Sequence, residues 1–150
     1  MTNETTATDA PVSETPANEA LVRELMRAIE SGEHGDALAR FFTDDAEQVE
    51  YPSIMRPAGG SRGVQAMLDG SVAGAQMLAE QSYDVLEFID GGDRAAVRLT
   101  WRATTATAIA GLPAGSTLTA HIAQFYEFRD GRIIRQRSYD CYEPLGAASV

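Results

Sequence analysis

The hydrophobic period of this chain changes once, near residue 82, and that change limits the folds open to it. Before it, apolar residues recur at helical spacing; after it, they alternate. Leu21, Leu25 and Ile29, with Val22 and Met26 widening the stripe, predict a helix over about Asn18–Ser31. Asn18 is placed to cap its start and Gly32 to end it. A short helix is expected over Asp36–Phe42, then a turn at Asp44-Asp45 and a short strand over Gln48–Tyr51, ended by Pro52. Residues 53–63 read as a Pro/Gly loop. Within it, Ser61 is expected to cap a third helix bearing Val64, Met67 and Leu68. Strands follow over Ser82–Ile89, Arg94–Ala106, Leu118–Phe128 and Arg132–Tyr142. On the second of these, Ala95, Val97, Leu99, Trp101 and Ala103 alternate with Arg94, Arg98, Thr100, Arg102 and Thr104, so one face is apolar and the other wet. Helices followed by a meander of antiparallel strands make an α+β plan, in which a curved sheet wraps the helices as a cone with a mouth.

A length of 150 residues suits one domain. Residues 1–17, rich in Thr, Ala, Glu and Pro, read as a disordered tail; 18–143 as the domain; 144–150 as a loose C-terminal tail. The net charge of −10 repels phosphate backbones and argues against nucleic acid as a partner. No apolar run is long enough to span a membrane, and no secretory leader is visible. With the single cysteine, Cys141, this gives a cytoplasmic expectation. All the basic residues are arginine, as codon bias in a GC-rich bacterium would give. Two scattered histidines and one cysteine offer no metal-ligand spacing, and GGSRG lacks the context of a phosphate-binding loop. Neither metal nor cofactor is expected.

FFTDDAEQVEYP with SRGVQAML, and the stretch from AAVRLTWRATT through FYEFRDGRIIRQRSYD, resemble the NTF2-like superfamily, in particular its SnoaL-like, polyketide cyclase branch. The resemblance implies an NTF2-like cone: three N-terminal helices packed in a curved, mostly antiparallel sheet. It leaves the reaction open, because this fold carries isomerases, cyclases, dehydratases, epoxide hydrolases and non-catalytic binders. The ketosteroid-isomerase tyrosine and two aspartates would fall on Leu25, Tyr51 and Gln124. The Asp–Arg–Asp relay of limonene epoxide hydrolases is broken, with Thr100 or Thr104 after the arginines and Ser138 on the last strand. The cyclase aspartate also falls on Ser138, but Asp140 lies one pleat further on the same strand face.

The hairpin at Asp130-Gly131 decides which groups share the cone. A type I turn with a bulge at Gly131 would set Gln124 opposite Gln136, with Tyr126, Phe128, Ile134, Ser138 and Asp140 also inward. A two-residue type I′ turn would bring Arg135 and Arg137 beside Gln124 instead. The first matches the inward positions implied by the resemblance. Asp140 is then the leading acid or base, with Glu50 a second catalytic candidate. Tyr51, Trp101, Gln124, Tyr126, Gln136 and Ser138 are the candidate substrate-binding residues. His121, Phe125 and Tyr139 share the opposite parity, which suits a homodimer interface on the outer sheet face. Two functions from different classes follow. One is a cofactor-independent enzyme moving a proton on an apolar polyketide-, steroid- or terpenoid-like molecule. The other is a small-molecule-binding or accessory protein without chemistry.

Overall fold

The structure is a computed structural model and describes residues 15–146. Helix α1 (Ala17–Glu30) buries Val22, Leu25, Met26 and Ala28, the stripe its spacing predicts. It starts one residue earlier than expected, after Pro16. Asn18 makes no cap; its side-chain NH2 donates to the Gly92 carbonyl across the molecule. The second helix is a tight 3₁₀ segment, Gly35–Phe41, which buries Leu38 and Phe41. Helix α2 (Val64–Met77) buries Met67 and Leu68 and begins after Gly63, not after Ser61.

The strands are β1 (Phe42–Glu50), β2 (Gly60–Gly63), β3 (Leu78–Asp90), β4 (Arg94–Thr105), β5 (Thr117–Arg129) and β6 (Arg132–Tyr142). They form one sheet in the order β2-β1-β6-β5-β4-β3. Only β1 and β6 run parallel. The expected α+β cone with three helical segments is present, and its core lies between those segments and one sheet face, around Val22, Phe41, Leu99, Tyr126 and Ile133. No helix among the described residues is long and apolar enough to cross a membrane.

Three further local expectations fail. Asp44-Asp45 lies inside β1 instead of ending it. Residues 43–46 separate the pairs Phe42↔Ile133 and Glu47↔Arg135, so the turn-prone acids mark a bulge in a continuing strand. The expected loop contains β2, whose four residues pair antiparallel with Glu47–Glu50. The hairpin register also differs from expectation. Asp130 and Gly131 both have positive φ, 51° and 72°, as a two-residue type I′ turn requires. That turn pairs Phe128 with Ile133, and alone it would have brought the arginines inward. A bulge at Ile134 adds the missing residue, so Tyr126 faces Gln136 and Gln124 faces Ser138. The even-numbered polar residues therefore stay inward by a different route. Ile133, fully buried, takes the core position expected of Ile134.

Candidate active site

A cavity of about 260 Å³ lies between the helices and the inner sheet face. Apolar walls come from α1 (Leu25, Met26, Ile29), the 3₁₀ segment (Leu38) and α2 (Met67, Leu68). The sheet contributes the polar groups. Of the residues singled out from the sequence, Glu50, Trp101, Gln124, Tyr126, Gln136, Ser138 and Asp140 all line this cavity.

Tyr51 does not. Its ring stacks on Tyr139, 4.2 Å between centroids and 12° between planes, on the other face of the sheet. Strand parity is the reason: Gln48 and Glu50 point inward, so the next residue points out. The Tyr51 N–H continues the strand ladder by donating to the Ser138 carbonyl at 3.1 Å.

One half of the polar wall is a chain of hydrogen bonds. Arg62 Nε–H donates to Gln48 Oε1 at 2.8 Å. Gln48 Nε2 donates to Gln136 Oε1 at 3.0 Å, and Gln136 Nε2 donates to the Tyr126 hydroxyl at 3.1 Å. That hydroxyl donates to Gln124 Oε1 at 2.5 Å. Gln124, Tyr126 and Gln136 are all buried, so each bond satisfies groups that water does not reach freely. Burial drives the Tyr126 phenol far above its usual range, so it acts only as a neutral donor and acceptor. Arg62 lies over Gly70 of α2, where a Cβ would run into its guanidinium. Burial lowers its pKa and the neighbouring Arg56 adds to that, while Glu50 opposes it. The Glu50 carboxylate is held by Arg56 at 2.8 Å and Arg62 at 3.3 Å.

The other half centres on Asp140. The Ser138 hydroxyl donates to Asp140 Oδ1. Desolvation raises the Asp140 pKa; the Ser138 bond opposes this, and the charge of Glu50 reinforces it. Tyr142, two residues on, is pushed up to about 12 by burial and by the charges of Asp140 and Glu50. Its ring meets Trp101 edge-on at 6.2 Å. Trp101 Nε1–H donates to Gln81 Oε1 at 3.0 Å, and the Tyr83 hydroxyl donates to the same oxygen at 3.3 Å. Across the β5–β6 ladder Gln124 faces Ser138 and Ile122 faces Asp140, so Gln124 and Asp140 are diagonal neighbours, about 7–8 Å apart at their Cα atoms.

The sequence reading missed Gln48, Arg62, Gln81, Tyr83 and Tyr142. Two carried a parity signal: Gln48 lies two residues before Glu50, and Tyr142 two after Asp140. Arg62 carried none, because a short glycine-flanked strand places it. On the outer face Phe125 and Tyr139 are exposed and meet edge-on, and His121 pairs with Glu143 at 3.0 Å, so this histidine is outside the cavity as expected.

Among solved structures, an NTF2-like protein of unknown function from Burkholderia pseudomallei superposes with a TM-score of 0.66 at 21% identity, covering 84% of this chain and 92% of that one. A SnoaL-like polyketide cyclase from Agrobacterium tumefaciens gives 0.64 at 19%, covering 84% and 92%. SalBIII, described as an epoxide hydrolase/cyclase-like enzyme with a role in pyran ring formation in the polyether salinomycin, gives 0.65 at 20%, covering 82% and 89%. At these identities the likeness shows the fold. No curated protein matches the sequence significantly. The SnoaL-like domain family matches residues 22–136, and the chain belongs to it.

Proposed function

We propose that this chain is a cofactor-independent enzyme catalysing a proton transfer on a compact apolar small molecule of polyketide, steroid or terpenoid type. The step would be a cyclisation, isomerisation, dehydration or epoxide or ring opening. One observation carries the reading. Asp140 is a carboxylate whose pKa is raised by desolvation, on the wall of a cavity roofed by apolar helix side chains, one ladder diagonal from a neutral polar group suited to an oxygen. The cavity volume admits ring systems larger than benzene, since an engineered cavity of about 150 Å³ takes benzene.

In this mechanism Asp140 takes a proton from carbon. The electron pair moves to the substrate oxygen, Gln124 stabilises that oxygen, and Asp140 returns the proton to its new position. Ser138 holds the carboxylate. Glu50, held by Arg56 and Arg62, is a fixed like charge that favours the protonated form of Asp140 between the two transfers. Trp101 supplies a flat wall. Tyr51, Tyr139 and Phe125 form the aromatic patch through which two copies would pair on the outer face.

The test needs no knowledge of the natural substrate. Exchange of the α-hydrogens of 1-indanone in D2O, followed by NMR, reads proton abstraction directly. The wild-type protein is expected to accelerate it. Asp140→Asn is expected to lower the catalysed rate by about 10²–10⁴ with the fold retained. Equal rates would remove Asp140 from the mechanism. Binding without exchange would favour the non-catalytic reading of the same cavity.

A further inference from the structure

The chain Arg62–Gln48–Gln136–Tyr126–Gln124 has only one direction open to it. Arginine is a donor without an acceptor. Gln48 must therefore turn its carbonyl to Arg62, and its NH2 must go to the Gln136 carbonyl. Gln136 is then left with its NH2 for the Tyr126 oxygen, and the single Tyr126 proton must go to the Gln124 carbonyl. The last link leaves Gln124 with its NH2 as the group not taken by any side chain among the described residues, on the wall of the cavity. A glutamine is otherwise indifferent, able to donate or accept by turning its amide through half a circle. Here a guanidinium four links away removes the choice.

We propose that Arg62 is a positioning residue that sets Gln124 as a donor, so that the cavity takes ligands bearing a hydrogen-bond-accepting oxygen and rejects isosteres that present an N–H at that point. This rests on the reading above for where the ligand lies, and it deepens that reading by naming the group recognised. Arg62 itself need not touch the ligand. The preference arises because a donor facing a donor leaves both unpaired in a desolvated site, which costs about tenfold or more in affinity. Reversing the first link should reverse the last. With Glu at position 62, Gln48 turns its NH2 outward, each amide and the phenol follow, and Gln124 presents its carbonyl.

The test is binding, read without turnover, of two bicyclic probes of similar size: 1-indanone, which only accepts, and indole, which donates through its N–H. Calorimetry is expected to give the wild-type protein about tenfold or more preference for 1-indanone. The infrared C=O stretch of the bound ketone is expected at lower frequency than in hexane, as a hydrogen-bonded carbonyl gives. Arg62→Glu is expected to invert the preference and abolish the infrared shift. Arg62→Lys, still donor-only, is expected to keep both. Should the Glu variant fail to fold, Arg62→Met decides, with the preference expected to collapse towards unity. A folded Glu or Met variant that keeps the wild-type preference and stretch overturns the proposal. So does a wild-type protein that prefers indole, binds both equally or binds neither. Because Asp140→Asn leaves the relay intact, it is expected to keep the probe preference even where it abolishes exchange. Loss of chemistry and loss of polarity selection are thereby separated.

Discussion

The two faces of the β5–β6 ladder use the same backbone and opposite chemistry. Inward, Gln124, Tyr126, Gln136 and Ser138 are buried, uncharged and tied to other side chains. Outward, one residue away on the same strands, Glu127 bridges Arg135 at 2.7 Å and Arg137 at 3.4 Å, and His121 meets Glu143 in solvent. The difference follows from solvation. A full charge on the inner face would lose its hydration, so that face keeps neutral dipoles and admits one carboxylate, Asp140, with its pKa raised. On the outer face water screens the charges, so ion pairs there are cheap to form and cheap to lose. The inner face has a fixed polarity because its groups are buried and bonded to one another, and the outer face has charge because it is exposed.

The sharpest way to break this comparison is to move the boundary between the faces. If the two-residue turn at Asp130-Gly131 puts Ile133 and not Ile134 in the core, truncating the two adjacent isoleucines must give unequal results. Ile133→Ala is expected to cost about 2–5 kcal/mol, as for a fully buried aliphatic side chain. Ile134→Ala, at a half-buried position, is expected to cost less than half as much. Urea unfolding of both variants checks this; a larger loss for Ile134→Ala would mean the register of a type I turn with its bulge at Gly131, which turns Ile134 inward. Next in size is Tyr126→Phe, which removes the middle of the relay and leaves Gln124 Oε1 without its donor and Gln136 Nε2 without its acceptor. A loss of about 1–3 kcal/mol is expected in the same assay.

These positions also show what was legible in the sequence. Helix α1 and strands β3 to β6 were readable because each carries a long apolar period of its own. Strand β2 was not, because Gly60-Ser61-Arg62-Gly63 has no period to read and is made a strand by pairing with β1. The inner-face residues of β5 and β6 were found by parity, although the turn behind that parity was a different one. Tyr51 was misplaced for want of the same rule, since its neighbour Glu50 had already taken the inward position. The direction of the relay was beyond reach, because it begins at Arg62 and Gln48, whose contact depends on β1 pairing with β2 on one side and with β6 on the other.

A smaller effect comes from Asp140, the inner carboxylate of the β5–β6 ladder. The folded-state pKa of Asp140 is raised, so the native protein binds its proton more readily than the unfolded chain does. Stability from this group is therefore fully present below the ordinary aspartate value of about 3.9 and is lost as pH rises through the raised value. Asp140→Asn cannot lose it. The variant is expected to be more stable than the wild type at neutral pH, with the gap opening across that window. Thermal unfolding as a function of pH checks this, and a constant gap would show that Asp140 titrates as an ordinary surface acid.

The smallest effect is expected outside, and its salt dependence matters more than its size. Glu127→Gln removes the charge between Arg135 and Arg137 while keeping the shape of the side chain. All three groups are partly exposed, so a loss of under about 1 kcal/mol is expected in dilute buffer. In about 1 M salt the screening length falls to about 3 Å, and most of that difference should disappear. Tyr126→Phe, on the same strand one residue away, removes hydrogen bonds between neutral groups behind the sheet, where ions do not reach. Its cost should be the same at both salt concentrations. If the Tyr126 effect proved salt-sensitive, the inner face would be open to bulk solvent, and the fixed polarity of Gln124 would lose its physical basis.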